Sequence, residues 1–344
     1  MKKKQGYEYY RACRNRFVDA TTPQPGILLI GGAEGGSSGE DAATQWFLDR
    51  AKGGRYLVLR VGGVQSQADW IGRNYREWIY SAAELSIDSR EAANDPDVVD
   101  YIRDADALFI AGGDQNLYQE LWEGTATEDA INNLLNDKGI PIAGTSAGMA
   151  ILGDYYYAPD HQGVLSSEIL NDPFHYNTET LHRSDFIHLR HLQGVITDTH
   201  LDRMNRQNPE TRYGRLLGLL ARVIYADDHS LNHRAIGLEE GAFVAVDDHG
   251  IARVFGNGSG RGQDAYFVQP NGALPEQMEP GWPLIWHHNG QAVKVYRIAG
   301  TPEGSGSFDL NDWSTASGGT WEYWYTTGGK SGLRKTTISE DGDR

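Results

Sequence analysis

Ile140-Pro141-Ile142-Ala143-Gly144-Thr145-Ser146-Ala147-Gly148-Met149-Ala150-Ile151-Leu152 joins a short apolar run to a second apolar run through a glycine-flanked serine. The first run is strand-like, the second helix-like, and the link is too short for anything but a tight turn. Gly144-x-Ser146-x-Gly148 in that setting matches a nucleophile elbow. The glycines have a physical reason: the turn forces the serine backbone into a strained conformation, and larger neighbours would clash. The turn exposes the serine oxygen, and the Ala147 amide at the start of the helix can stabilise a developing oxyanion. The competing reading is an ordinary glycine-rich turn between strand and helix.

The same punctuation recurs on the N-terminal side. Ile27-Leu28-Leu29-Ile30 precedes Gly31-Gly32, Tyr56-Leu57-Val58-Leu59 precedes Gly62-Gly63, and Ala107-Leu108-Phe109-Ile110 precedes Gly112-Gly113. Between them, residues 39–52 and 127–137 place apolar side chains at helical spacing, with Thr127 as a candidate cap. Strand, glycine turn and helix in alternation predict an α/β fold: a mostly parallel sheet with helices on both faces, of flavodoxin-like or class I glutamine amidotransferase-like type. Sites in such sheets form at the carboxyl ends of the strands, where these glycines fall. Past residue 250 the pattern turns to apolar alternation, as in Ala292–Ile298 and Trp321–Tyr325. The division expected is a polar lead-in over 1–25, an α/β domain over 26–250 and a β-rich C-terminal extension over 251–344 packed on that domain. Aromatic strands of this kind are usually packed rather than ligand-binding.

Composition narrows the function. The 344 residues carry a formal charge of −16, which argues against a nucleic-acid backbone as partner. No stretch approaches the length of a membrane span. The single cysteine, Cys13, excludes an internal disulfide and a cysteine-based metal site. No metal or cofactor is expected. Gly31-Gly32-Ala33-Glu34-Gly35-Gly36 lacks the spacing of a nucleotide-binding loop and reads as a tight turn. Met1-Lys2-Lys3-Lys4 resembles the head of an export signal, but polar Gln5-Gly6-Tyr7-Glu8 follows it. A cytoplasmic location is therefore the expectation, or a secreted one if a leader has been removed.

A serine nucleophile needs a base, and the base an orienting acid. Among eleven histidines, His200 follows the strand-like Gly194-Val195-Ile196-Thr197, which would bring it to the same sheet edge as Ser146. His188 and His191 are the next candidates; His287-His288 read as exposed positions in the β tail. Ile236-Gly237-Leu238-Glu239-Glu240-Gly241 supplies the acid, and strand logic leaves Glu239 and Glu240 nearly even.

These segments together resemble the cyanophycinase and dipeptidase E family of serine peptidases. Gly-Thr-Ser-Ala-Gly around Ser146, Gly112-Gly113-Asp114-Gln115, Asp198-Thr199-His200-Leu201 and Ile236-Gly237-Leu238-Glu239-Glu240 match its motifs in order, over roughly residues 26–246. Gly-Gly-Asp-Gln is closer to the cyanophycinase branch. The resemblance implies Ser146 as nucleophile, His200 as general base and Glu240 as orienting carboxylate. It implies an oxyanion hole from the amides of Gly113 and Ala147, and a substrate pocket lined by Asp114, Gln115, Asp198 and Thr199. Arg212 and Arg215 match the end of the family's arginine pattern, with Arg206 as a stand-in for the first. Leu201 and Thr199 depart from the family's usual residues, and Asp202–Glu210 is extra sequence; all fall on the pocket rather than on the triad. The partner implied is a peptide or the cyanophycin polymer (arginine-bearing polyaspartate), cut to β-aspartyl-arginine dipeptides. A homodimer is admitted. The rival readings are a serine peptidase acting on short aspartyl peptides or other isopeptides, and a non-catalytic binding protein on the same fold. A glutamine amidotransferase would need cysteine at position 146.

Overall fold

In the computed structural model, which describes residues 2–33, 36–183, 186–204, 209–258, 262–328 and 332–338, parallel strands form the centre of an eleven-stranded sheet. In spatial order they are Ile79–Ile87, Gly53–Arg60, Ala107–Ile110, Pro141–Thr145 and Gly26–Ile30. Strands covered on both faces read as unbroken apolar runs, which is what the sequence offers here. Alternate side chains sort to opposite faces. Tyr56 and Val58 pack with Phe47 and Ile71 of helices Ser38–Arg50 and Gln67–Asn74. Leu57 and Leu59 pack on the other side, with Val98, Trp122 and Ile131 of helices Pro96–Arg103, Gln115–Trp122 and Ala126–Asn133. Thr125 stands at the N-cap position of the last of these, its hydroxyl donating to the Trp122 carbonyl rather than capping the helix. Thr127, the expected cap, lies inside the helix and donates from its hydroxyl to the Ala93 carbonyl.

Antiparallel strands extend both edges. Tyr7–Arg14 pairs with Ile79–Ile87 and with Lys2–Lys4. The N-terminal segment, expected only as a polar lead-in, thus carries edge strands. Its polar alternation hid them, although Tyr7 is buried in the main core. On the far side, Phe243–Val246 pairs with Gly26–Ile30 and is followed by Ile251–Phe255 and Gly306–Asp309.

A second sheet is built on the parallel pair Val195–Asp198 and Arg234–Leu238. It continues through Asp264–Pro270, Val293–Ala299 and Thr320–Thr327 to Leu333–Thr337. The β-rich extension expected after residue 250 is present, and its strands continue both sheets. The two sheets share one core: Phe267 of the second stacks on Phe308 of the first, with ring centroids 4.3 Å apart. The outer face of the second sheet is closed by helix Tyr213–Ala226, whose Leu216, Leu220 and Ile224 bury against Ile196, Ala235 and Trp324. Three chain segments therefore end at one place: strand Pro141–Thr145 of the first sheet, and strands Val195–Asp198 and Arg234–Leu238 of the second.

Candidate active site

Ser146 sits between strand Pro141–Thr145 and the short helix Ala147–Ala150 with φ 51° and ψ −117°. A non-glycine residue held there costs about 1–3 kcal/mol, so the surroundings must enforce it. The Ser146 amide donates to the Ile30 carbonyl (3.1 Å), and the Ala150 amide donates to the Ser146 carbonyl (2.9 Å). Gly148 is required by close approach: a Cβ there would stand 2.2 Å from the Ile110 carbonyl oxygen. The elbow is thereby pressed onto the neighbouring strand end. Gly112 lies just beyond that end, close enough that a Cβ on it would be 3.4 Å from the Ser146 Cβ.

His200 brings its Nε2 within 2.7 Å of Ser146 Oγ, and its Nδ1 within 2.7 Å of Glu240 Oε1. With the proton on Nδ1 donated to the carboxylate, Nε2 is left as acceptor for the serine hydroxyl. His200 is nearly buried (8 % exposed) and itself has φ 54°. The Gly31-Gly32 turn holds it in place. The His200 amide donates to the Gly31 carbonyl (3.1 Å), and the Gly241 amide donates to the Gly32 carbonyl (2.8 Å). Gly32, at φ +101°, lies directly against the imidazole: a Cβ would fall 2.2 Å from Cε1. One turn thus ties the serine, histidine and glutamate segments together. Burial pushes the His200 imidazole below its ordinary range, Arg212 adds to this, and the hydrogen bond to Glu240 opposes it.

Geometry separates the two glutamates. Glu240 faces His200, donates its backbone N–H to Asp202 Oδ1 (2.9 Å), and has Arg203 Nη1 at 3.5 Å. Glu239 is buried and turned away, accepting from the Tyr213 and Tyr266 hydroxyls and from the Asp264 amide.

The remaining sequence candidates divide. Asp198 and Arg215 pair with each other, Nε and Nη2 of the guanidinium donating to the two carboxylate oxygens, at 4 % and 6 % exposure. Neither is turned outward. Thr199 is buried, and its carbonyl accepts from Arg212 Nη1 (3.1 Å). Arg212 has no carboxylate within ion-pair distance among the described residues, and its Nε is buried without an acceptor. Burial, with Arg215 nearby, pulls Arg212 down to about 10, still cationic at neutral pH. Gly113 is exposed beside the elbow. Asp114 caps helix Gln115–Trp122 by accepting from the Asn116 amide, and Gln115 donates to the Tyr157 carbonyl (3.3 Å). Arg206 lies outside the described residues. His188 and His191 lie at a distant surface cleft with Asp247 and Asp248, and His287 packs edge-to-face against Tyr325. Sequence reasoning missed Gly32, Asp202 and Arg203. The double glycine after Ile30 is a signal for the first; the other two sit in Asp202–Glu210, which the family resemblance marks only as extra sequence.

Among the described residues, no helix is long and apolar enough to cross a membrane.

The chain is similar to known proteins. The chain is 25% identical over 251 residues to the cyanophycinase of Nostoc sp. (strain PCC 7120 / SAG 25.82 / UTEX 2576), covering 71% of this chain and 76% of the relative. It is 24% identical over 239 residues to the cyanophycinase of Geminocystis herdmanii (strain PCC 6308), covering 68% of this chain and 78% of the relative. Its fold is similar to the crystal structure of a peptidase from an acI-B1 Actinobacterium, with a TM-score of 0.50 at 13% identity, covering 84% of this chain and 98% of that one. Residues 27–254, well over half of the chain, match peptidase family S51. With its serine at the elbow, the chain belongs to peptidase family S51 and is a serine-type peptidase.

Proposed function

We propose that this peptidase hydrolyses cyanophycin to β-aspartyl-arginine dipeptides through Ser146, His200 and Glu240. The observation that carries the mechanism is the unbroken chain of hydrogen bonds from Ser146 Oγ through the imidazole to Glu240. As Ser146 Oγ attacks the scissile carbonyl, His200 Nε2 takes its proton, and Glu240 stabilises the imidazolium that forms. The amides of Gly113 and Ala147 receive the developing oxyanion; each such donor contributes about 3–4 kcal/mol at the transition state. His200 then protonates the leaving amine, and the acyl group on Ser146 is released by water activated by the same histidine.

The substrate assignment is supported by the two cyanophycinase relatives and by Arg212. A buried guanidinium with an unfilled Nε suits a substrate carboxylate, which can accept from two of its N–H groups. Arg215, held by Asp198, acts at one remove by fixing the wall on which Thr199 and Arg212 sit. The net charge of −16 favours encounter with an arginine-bearing polymer. Incubation with cyanophycin, followed by mass spectrometry, tests the reading. Release of β-aspartyl-arginine by the native protein and none by Ser146→Ala is the expected result. Hydrolysis of short aspartyl peptides with intact cyanophycin would assign the enzyme to the alternative substrate.

A further inference from the structure

Around Glu239, the residue before Glu240, lies a group of aromatic rings that holds a cation. The Lys335 ammonium stands over Tyr213 (3.5 Å to the ring centroid), Trp324 (4.3 Å) and Tyr266 (5.2 Å). The rings are 5.3–5.9 Å apart and mutually inclined, so their electron-rich faces converge on one point. Behind them is an excess of negative charge. The Tyr213 and Tyr266 hydroxyls donate to Glu239, and Trp324 Nε1 donates to Glu322 Oε2 (2.8 Å). Asp264 completes the layer, and Arg297 is the cation that pairs with it. Glu239, Asp264 and Glu322 are all buried. Polarised rings in front of fixed carboxylates make a cation site whatever occupies it.

The present occupant is poorly suited to it. Lys335 comes from Leu333–Thr337, an edge strand that among the described residues pairs only with Thr320–Thr327 and is exposed along most of its length. The residue is open to solvent as a whole, but its ammonium end is packed on the rings. Lost hydration there pulls it down to about 8, against the opposing pull of Glu322 and Glu239. A guanidinium is flatter, more weakly hydrated and far harder to deprotonate, so it stacks on such rings at lower cost. Tyr213 and Lys335 also line a cleft of about 540 Å³ with Ser166, Ser167, Glu210 and Leu333, which gives a ligand room to enter. The cage is joined to the catalytic residues through adjacent positions in the chain: Tyr213 follows Arg212, and Glu239 precedes Glu240.

We propose that Tyr213, Tyr266 and Trp324 form a subsite for a guanidinium side chain of the substrate, and that Lys335 fills it in the resting enzyme until that side chain displaces it. The inference rests on the peptidase reading above for the source of the guanidinium, and gives that reading a second recognition element besides Arg212. Lys335 itself belongs to an exposed edge strand and is not part of the buried core.

Nα-acetyl-L-argininamide and its uncharged counterpart Nα-acetyl-L-citrullinamide, titrated calorimetrically into the Ser146→Ala protein, test the subsite directly. Adding Lys335→Ala should tighten binding of the arginine compound by about tenfold or more, since the internal competitor is gone. Adding Lys335→Arg, which keeps the cage filled with a better cation, should weaken it. The citrulline compound should bind none of the three. Equal affinity across the three proteins, or equal binding of the two compounds, would overturn the proposal. In the protein with Ser146 intact, dipeptide release from cyanophycin is scored separately. Cage-dependent binding without release would leave the subsite standing and remove the cyanophycin reading; release with cage-independent binding would do the reverse.

Discussion

Gly32→Ala adds one methyl group at a residue that itself takes no part in the reaction, and it should nevertheless slow the enzyme about a hundredfold. The new Cβ would lie 2.2 Å from His200 Cε1, 2.7 Å from Nε2 and 2.9 Å from Nδ1. Ordinary contact begins near 3.4 Å, so the imidazole must withdraw by about 1.2 Å, and displacements of about 1 Å at a reacting group cost on the order of 10²-fold in rate. That corresponds to about 2.7 kcal/mol of activation free energy. The ring is pinned on both sides by 2.7 Å hydrogen bonds, so it cannot retreat and keep both. The backbone at φ +101° adds a stability cost of about 1–3 kcal/mol. The rate of inactivation by a fluorophosphonate, which reports serine activation without needing the natural substrate, is the assay; urea melts show how much of the variant is folded. Gly62→Ala is the control, since Gly62 has φ +91° with nothing within 4 Å of the added carbon. It should lose stability and keep its rate. A folded Gly32→Ala protein inactivated within twofold of the native rate would refute the argument that this turn positions His200.

Glu240→Gln should leave the fold intact and lower kcat by about 10³–10⁴-fold, because the imidazole loses its preferred tautomer and the partner of its positive form. Glu239→Gln should do the opposite, leaving the tyrosine and amide donors poorly matched at a cost of about 1–3 kcal/mol in urea melts while serine reactivity persists in the folded fraction. The pH profile of inactivation should show an acid limb below the ordinary histidine range, since burial lowers His200 and the neutral ring is the active form; a limb at or above pH 6.5 would contradict this. Stability follows the same sign. Below about pH 6.5 the unfolded chain takes up the His200 proton more readily than the folded one, so this group destabilises the fold as pH falls from there through the folded value. Arg215→Met should destabilise by about 3–5 kcal/mol because it leaves buried Asp198 unpaired, whereas Asp198→Asn with Arg215→Met should recover most of that; equal melts for the single and double variants would refute the pairing.

Much of the candidate site's geometry is legible in the sequence. The glycines at 144 and 148, with apolar runs on either side, fixed the elbow, because only a crowded turn demands that spacing. The parallel centre was equally legible, since strands covered on both faces leave unbroken apolar runs. Tyr7–Arg14 was not legible: an edge strand needs only one covered face, and Glu8 and Arg11 look like loop residues in sequence. The choice between Glu239 and Glu240 turned on which side of one strand end each faces, and adjacent residues there point to opposite sides. Arg215 matched a substrate-binding pattern, yet its guanidinium is taken by Asp198. Two residues 17 apart in sequence do not announce that they will neutralise each other. Lys335 gave no sequence signal, because two of the rings beneath it come from a distant helix and a distant strand, and only Trp324 lies on the strand it pairs with.

Peptide mapping after fluorophosphonate treatment tests the central claim most directly. The account predicts a single adduct on Ser146 in the native protein, no adduct in Ser146→Ala, and labelling slowed by orders of magnitude in His200→Ala. A folded native protein that stays unlabelled at Ser146, or labels equally fast without the His200 imidazole, would contradict it.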